Sequence, residues 1–575
     1  MGRIFSVRFL RLGLLLAPLA PAAAQRPAAR ATCNGEMVSA LEIHSYPAGS
    51  TFASDAWNVV RSFTGIHQVV TRPSVITAYL RVAVGKPCTE LDRSESERLL
   101  RAQHFIASAT VRPVADGPGR VRIVVETVDD IVTVVGGSLN GTSPASLLLG
   151  TENFDGRGLT VEGSVVRGFG YRDGFGGEVI QKGAFGRPYS VTVAAERDPL
   201  GDAMRVEFSR PFLTDLQPDG FHVGVTELNN YYDLTRPIGD DVFLNVRHVS
   251  YDLGLGTRVG PLSSGGLVGV LGALVMGEVI NTASSGVFIT DTGLVAAQLP
   301  EIDNRYAPQN VVRMGAFGGL RALKYETVRG FDAVTAAQDV GAGMQAALFG
   351  GPSIRAWNAP RDFFLSGEYY VGVGNPASFF QLRTLGEGRA DRQAQRWDGI
   401  VGFGKAVWHG RPSDTETRVA SLEFSEVQHL AIPVQLSFFD HIGGLPGFQR
   451  SDAVGGKRLI ARVEERRQVK MISNRADWAV AAFADAGQIW AGDVPFGQRS
   501  DVHASYGVSL LAAYPAGGKR TYRLDFALPV RADGSRLEVR FNSSDQTRSI
   551  WLQPNDVTLA HSGTVLQNLG NWTPR

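Results

Sequence analysis

Cysteine is scarce in this sequence, and long apolar segments are lacking beyond its first residues. Cys33 and Cys88 are the only cysteines among 575 residues, which is too few for a structural zinc site built on thiolates. The longest later apolar run, at 265–277, has 13 residues, whereas a helix needs about 20 to span a bilayer. We therefore predict neither a cysteine-rich metal site nor a transmembrane helix in the rest of the chain.

A strong excess of one charge is also lacking. The chain has 57 Lys and Arg against 56 Asp and Glu, so its net charge provides no strong attraction for nucleic acid. Its 10 histidines are scattered without metal-ligand spacing, and the G-x-S-x-G motif of many hydrolases does not occur. The sequence predicts that the protein is not an enzyme and has no catalytic residue, metal site, cofactor or nucleic-acid partner.

The first 24 residues have the composition of an export sequence. Three arginines and no acidic residue accompany the apolar stretch LGLLLAPLAPAAA. This pattern predicts a secretory signal peptide at 1–24, cleaved before Gln25. Export places Cys33 and Cys88 in an oxidising compartment, which favours a disulfide between them; two free buried thiols are the alternative.

The sequence is rich in glycine, aromatic residues and short alternating segments. It contains 67 glycines and 30 phenylalanines. In AMRVEF, which starts at Ala203, apolar and charged residues strictly alternate, and TYRLDFAL and RLEVRF near the C-terminus repeat the pattern. Alternation with period two predicts β-strands that have one apolar and one polar face.

Between about 16 and 20 candidate strands can be counted in residues 131–545. A closed barrel in lipid satisfies every backbone group and directs its charged faces into a wet lumen. The sequence therefore predicts a mainly β fold, a transmembrane antiparallel β-barrel at 131–545, followed by a tail at 546–575. A secreted all-β protein is the alternative.

The chain before Asp130 has a different pattern, in the order β-α-α-β-β. TRPSVITAYL and RSESERLLRAQHF are predicted helices, and Ser94 with Glu97 has the spacing of a capping box. The predicted strands are VSALEIHSY, SATVRPV and RVRIVVETV. This order predicts a small α/β domain at 33–130.

Residues 33–130 resemble a polypeptide-transport-associated (POTRA) domain. The matching motif positions are Gly85, Pro87, Glu95, Ser96, Glu97, Arg98, Leu100, Arg101, Phe105, Ile106 and Ala109. One such domain followed by a barrel resembles the BamA/TamA-type outer-membrane assembly family, whose barrels are also known as bacterial surface antigens. The resemblance implies an outer-membrane location, an N-terminal domain in the periplasm and about sixteen barrel strands.

The resemblance also implies a functional loop in the lumen. In this family a Gly-rich sixth extracellular loop folds inward, and the Arg of its V/L-R-G-F/Y motif pairs with the Asp of an F-x-D-x-G motif on the inner wall. The wall motif is present as Phe483, Asp485 and Gly487. Literal matches to the loop motif occur at 166–169 and 328–331.

The expected position in the chain identifies a different segment as this loop, because five barrel strands should follow it. Five candidates follow Phe448, at 457–468, 475–489, 502–513, 520–530 and 535–545. The predicted lumen loop therefore consists of Gly443, Gly444, Leu445, Pro446, Gly447, Phe448 and Arg450. The two VRGF matches are then predicted to be strand or hairpin sequence.

The predicted loop lacks the motif Arg, since the sequence there is Leu-Pro-Gly-Phe. We expect Arg450 to pair with Asp485 in its place, because an unpaired buried carboxylate is costly. Two alternatives remain open: a different lumen Arg pairs with Asp485, or no pairing occurs.

The resemblance implies function through binding and insertion. Ala109, Thr110, Val111 and Arg112, within SATVRPV, are expected to form a sheet edge that binds extended or unfolded client proteins by β-augmentation. A weak seam is expected between about 132–139 and 535–545, and the barrel is expected to end at Phe541 or Trp551. Expected partners are the outer-membrane lipid bilayer, client proteins and periplasmic accessory proteins.

Three functions remain open at this point. The first is an outer-membrane protein assembly or translocation factor. The others are a secretion pore for a dedicated partner protein and a passive or structural barrel.

Overall fold

The computed structural model describes residues 31–47, 70–140, 143–168, 172–260, 266–290, 293–357, 361–391, 395–439, 444–448, 453–470, 476–530 and 537–561. The predicted signal peptide, Gly443 and Arg450 lie outside these residues. Within them, no helix is both long and apolar enough to cross a membrane.

In the described residues of the N-terminal domain, a four-stranded sheet is accompanied by two helices. Its elements are β1 (Asn34–Tyr46), α1 (Pro73–Ala78), β2 (Pro87–Thr89), α2 (Glu90–Arg101), β3 (Ile106–Ala115) and β4 (Arg120–Asp129). The sheet order is β2-β1-β4-β3, with β1 parallel to β4. Each predicted strand and helix of this region is present, and the short β2 is an addition.

The helix α2 begins earlier than predicted. The side chain of Thr89 accepts a hydrogen bond of 3.0 Å from the backbone N–H of Asp92 and so caps the helix. The predicted capping box of Ser94 and Glu97 is therefore wrong, because both residues lie inside the helix. Acidic residues in the sequence ELDR suit the positive N-terminal end of a helix, which explains why it extends one turn further back.

A disulfide joins Cys33 to Cys88 within the core of this domain. It links the residue before β1 to the centre of β2, and both cysteines are buried among Ile76, Leu100 and Phe105. The predicted pairing is confirmed. Closing a loop of this length contributes about 4 kcal/mol in the chain-entropy model.

The disulfide can be tested directly by mass spectrometry. We expect non-reducing peptide mapping of the exported protein to recover the Cys33 and Cys88 peptides joined, because their geometry in the fold is that of a bond. Recovery of both cysteines as alkylated thiols without prior reduction would contradict the structure.

The barrel begins directly after β4, as the predicted boundary near residue 130 requires. Its first strands are β5 (Thr133–Asn140), β6 (Ser143–Thr151), β7 (Leu159–Val166), β8 (Gly174–Ala184), β9 (Tyr189–Asp198), β10 (Gly201–Arg210), β11 (Asp219–Leu234), β12 (Val242–Val259), β13 (Val268–Thr282), β14 (Gly286–Thr290) and β15 (Gly293–Ala297). A short 3-10 turn, Phe154–Gly156, connects β6 to β7.

The second part of the barrel contains its longest strands. They are β16 (Gln309–Arg329), β17 (Ala337–Trp357), β18 (Asp362–Asn375), β19 (Ser378–Asp391), β20 (Arg396–Ser413), β21 (Glu416–Gln428), β22 (Leu436–Ser437), β23 (Val454–Gly455), β24 (Lys457–Val469), β25 (Asp477–Trp490), β26 (His503–Ala513), β27 (Arg520–Val530) and β28 (Glu538–Asp545). The five strands predicted after the lumen loop are β24 to β28.

The sheet closes on itself through β28 and β5. Because β13 pairs directly with β16, the hairpin β14–β15 is an extension at one rim. The continuous ring of the described chain then has twenty strands, whereas β22 and β23 form a separate small sheet. Twenty is the upper limit of the candidates counted in the sequence and exceeds the sixteen that the resemblance implied.

Side chains alternate around the wall as predicted. Met204, Val206 and Phe208 of β10 are exposed on the outer surface, and Arg205 pairs with Glu178 of β8 on the inner surface. An apolar exterior around a polar interior is the pattern of an outer-membrane barrel.

Wall height differs around the ring. The strands β16 and β17 have 21 residues each, whereas β5 and β28 have 8 each. At about 3.3 Å per residue these lengths correspond to roughly 70 Å and roughly 26 Å. The wall is therefore short where the barrel closes, at the strand pair predicted to be the seam, and β7 close to it also has 8 residues.

The chain turns into the lumen after β28. A 3-10 helix, Gln546–Trp551, and α3 (Asn555–Ala560) follow the last strand. Phe541 lies on the outer face of β28 with 60% of its surface exposed, and Trp551 contacts the lumen-facing Tyr370. The prediction that Trp551 ends the barrel is wrong, because β28 ends at Asp545.

Candidate functional site

The predicted lumen loop lies in the long connection between β21 and β24. Leu445 and Phe448 are buried and pack with Phe438, Ile460 and Ile489. The backbone N–H of Leu445 donates a 3.0 Å hydrogen bond to the carbonyl of Phe438. The described part of the loop is therefore packed against the inner wall.

Gly447 lies close to the barrel wall. Its φ of 90° lies in the region that favours glycine, and an added Cβ would lie 3.1 Å from Pro529 of β27. Its backbone N–H donates to the carboxylate of Glu538 on β28. Gly444, Pro446 and Phe448 beside it are buried, so the turn is held by both shape and hydrogen bonding.

The inner-wall motif lies on β25, and its partner is a neighbouring strand. Phe483, Asp485 and Gly487 are buried on the lumen face. Arg462 of β24 donates to both carboxylate oxygens of Asp485, at 2.7 and 3.0 Å. The alternative in which another lumen Arg pairs with Asp485 is the one observed, while a role for Arg450 stays a prediction.

Sequence reasoning missed Arg462 although its signal was present. Arg462 and Asp485 are directly opposite in the antiparallel register of β24 and β25, and oppositely charged residues in such positions attract each other. Counting along the two strands from the opposite residues Val469 and Trp478 would have paired them. The family motif instead indicates an arginine in the loop.

Further charges extend this pair across the lumen face. Glu464 contacts Arg523 at 2.8 Å and Arg466 at 2.7 Å. Arg466 also donates to the carbonyl of Phe331, at 3.1 Å. Phe331 belongs to the VRGF match at 328–331. The first two residues of this match end β16, as predicted, and its phenylalanine turns into the lumen.

A second cluster of buried charges lies near the far rim, away from the N-terminal domain. Arg313 of β16 is 0% exposed and contacts Glu278 at 2.8 Å and Asp362 at 2.6 Å. It connects β13, β16 and β18 on the inside of the wall. In the part of the chain that the structure describes, no group of three or more His, Cys, Asp or Glu is arranged to hold a metal.

The predicted client-binding edge is an edge of the sheet, but it is partly occupied. Strand β3, with Ala109, Thr110, Val111 and Arg112, is the last strand on its side. The N–H of Val111 donates to Glu97 at 3.2 Å, and its carbonyl accepts from Arg93 at 2.9 Å. The expectation of unpaired backbone groups therefore does not hold at Val111.

The N-terminal domain closes one end of the lumen through α2. Arg101 pairs with Asp339 of β17 at 3.1 Å, and Arg98 donates to the carbonyl of Leu213 at 2.9 Å. Thr214 donates to Glu95 at 2.6 Å. Three motif positions of the resemblance therefore contact the barrel.

Glu95 is charged in this interface. Burial acts to raise the pKa of its carboxyl group, but the nearby guanidinium of Arg98 and the hydrogen bonds from Arg98 and Thr214 hold the pKa below its ordinary value. A carboxylate at neutral pH keeps the domain docked through charge-assisted hydrogen bonds.

Comparison with solved structures returns matches of low similarity. The chain is similar to BamA from Haemophilus ducreyi lacking POTRA domains 1–3, at 12% identity and a TM-score of 0.37, over 88% of this chain and 85% of that chain. CdiB from Escherichia coli matches at 10% identity and a TM-score of 0.37, over 92% of each chain. Scores of this size carry no functional argument. No curated protein matches the chain.

A family model provides the assignment. The Omp85 superfamily domain matches residues 326–544, which run from the end of β16 to the last strand and include the lumen loop and the Asp485 motif. The recognition made from the sequence is confirmed at the level of this superfamily. Residues 326–544, which lie within the barrel, form an Omp85 superfamily domain.

Proposed function

We propose that the protein is an outer-membrane protein assembly or translocation factor, without enzymatic activity. Its domain at 33–130 acts as a POTRA domain in the periplasm and recruits extended clients, and the barrel at 131–545 inserts or translocates them. Periplasmic accessory proteins are proposed as further partners.

The low wall at the closure of the barrel carries this proposal. Strands of 8 residues tilted by about 40° span roughly 20 Å, which is less than the apolar band of about 25 Å around such barrels. Lipid next to a short wall has to thin, and a thinned bilayer presents a smaller barrier to an inserting strand. The pair β28 and β5 is therefore the proposed site of client entry.

Client capture is assigned to the outward-facing groups of β3. Because Val111 directs its N–H and C=O away from β4, the alternating pleat directs those of Ala109 and Pro113 the same way. Pro113 has no donor, and Val111 is already bonded to α2. Among these three residues, Ala109 is therefore the proposed donor to an added strand, and because it is buried, pairing there requires the edge to open.

The proposal is tested with purified protein in liposomes and an unfolded barrel client. Accelerated folding of the client, measured by its heat-modifiable mobility, is expected. Transport of a dedicated partner without client folding would instead support a secretion pore, and ion conductance alone would support a passive barrel. Either of these outcomes would refute the assembly function.

The edge is tested by Ala109→Pro, which removes the outward N–H at that position. We expect client capture, measured by cross-linking, to fall by about fivefold, since losing one hydrogen bond costs on the order of 1 kcal/mol. Ala109→Val adds similar bulk but keeps the donor and is the matched control. Equal capture by the two variants, both with a folded N-terminal domain, would remove β3 from the mechanism.

A further inference from the structure

The segment that follows the last strand lies along the lumen wall. We define the tail as residues 546–561, which include the 3-10 helix and α3. Its contacts are with inward-facing residues of β16, β18, β19, β20 and β24. The tail therefore lies along the lumen wall from β16 to β24.

The first half of the tail inserts two large apolar side chains into the wall. Ile550 is buried with Leu323, Tyr370 and Val407. The ring of Trp551 lies 4.9 Å from that of Tyr370, and the guanidinium of Arg383 lies 5.1 Å from the Trp551 ring. These contacts combine apolar burial with a cation–π interaction.

The wall also recognises the tail backbone. Arg383 donates to the carbonyl of Trp551 at 2.8 Å, and Lys405 donates to the carbonyl of Ser549 at 3.2 Å. The hydroxyl of Ser549 donates to Asp332 at 2.7 Å. These donors fix the main chain of the tail, while its side chains determine which sequence fits.

An ion pair holds the second half. Asp556 contacts Arg458 at 2.6 and 3.1 Å, and Arg458 is almost completely buried. Val557 and Ala560 pack with Leu385, Phe403 and Ile432. The acidic side chain therefore meets a preformed cation beside an apolar pocket.

The tail is attached through these side-chain contacts, whereas the wall strands are joined by backbone ladders. Departure of the tail would leave the ladders of the barrel intact. Below the tail, only a cavity of about 70 Å³ separates Ile550 and Trp551 from α2 and Asp339. The tail and the N-terminal domain together fill this part of the lumen.

We propose that this wall is a binding site for a polypeptide segment, occupied in the resting protein by its own tail, which closes the lumen. The ligand class is a peptide with two bulky apolar residues followed five positions later by an acidic residue, as in Ile550, Trp551 and Asp556. Closure of the lumen by the tail does not depend on the proposed function. Displacement of the tail by a client would extend that function.

The test uses the full-length chain in planar lipid bilayers. Asp556→Arg places two cations together and is expected to raise the open fraction of the channel about tenfold or more. Breaking a buried ion pair costs more free energy than a tenfold change in an equilibrium constant requires. The exchange Arg458→Asp with Asp556→Arg restores the pair and is expected to reclose the lumen. Trp551→Ala, which alters no charge, is a second opening variant.

A synthetic peptide of residues 546–561 tests the site itself. Added to the Asp556→Arg protein from the side of the N-terminal domain, it is expected to reduce conductance with saturation, whereas a peptide of scrambled sequence is not. Wild-type conductance in both opening variants would refute closure by the tail. Equal block by the two peptides would refute the peptide site. Both results are independent of client folding.

Discussion

Replacement of Asp485 with Ala is expected to lower the free energy of unfolding of the barrel by about 3 kcal/mol. Asp485 is buried, and its removal leaves the guanidinium of Arg462 without its bidentate partner next to the cation of Arg523. Breaking a buried pair from one side costs about 3–5 kcal/mol, and the partial exposure of Arg462 places the effect at the lower end. Urea unfolding of the protein in lipid vesicles measures it.

A double-mutant cycle identifies the partner. Arg462→Ala combined with Asp485→Ala should be little worse than either single substitution, with a coupling of about 1–3 kcal/mol. Arg450→Ala serves as the comparison, because it replaces the Arg expected from the sequence. Additive effects of the Arg462 and Asp485 substitutions, together with coupling between Arg450 and Asp485, would contradict the assignment of Arg462 as the partner of Asp485.

Replacement of Arg313 with Ala is expected to destabilise the barrel by about 3–5 kcal/mol. The side chain is fully buried between Glu278 and Asp362. Its loss removes, in a low-dielectric environment, the cation that both carboxylates contact, while Arg389 remains 3.6 Å from Glu278. The measurement is the temperature at which the folded band is lost in semi-native electrophoresis.

Arg205→Ala is the matched control for Arg313→Ala. Arg205 also pairs with a carboxylate on the lumen face, but both partners are partly exposed, and such pairs contribute about 1 kcal/mol or less. We expect a small change for Arg205→Ala and a large one for Arg313→Ala. Equal losses would show that burial does not determine the contribution of these pairs.

Local sequence patterns predicted the strands but not the side-chain contacts inside the lumen. The alternation in AMRVEF and RLEVRF determines which side chains face lipid, because period two is a property of any strand. The five strands after Phe448 are at their predicted positions within a few residues. The capping box failed because Thr89, five residues earlier, is a competing cap and takes the helix start.

The sequence alone determined the α/β domain, the apolar exterior of a membrane barrel and the disulfide, since these depend on composition, periodicity and short motifs, whereas the signal peptide stays a prediction. Only the tertiary structure decided that Arg462 holds Asp485, that Glu97 and Arg93 occupy the edge at Val111, and that the tail lies in the lumen. Each of these contacts joins side chains whose proximity arises from strand register, domain docking or the path of the chain inside a closed sheet, and local sequence patterns do not specify those distances.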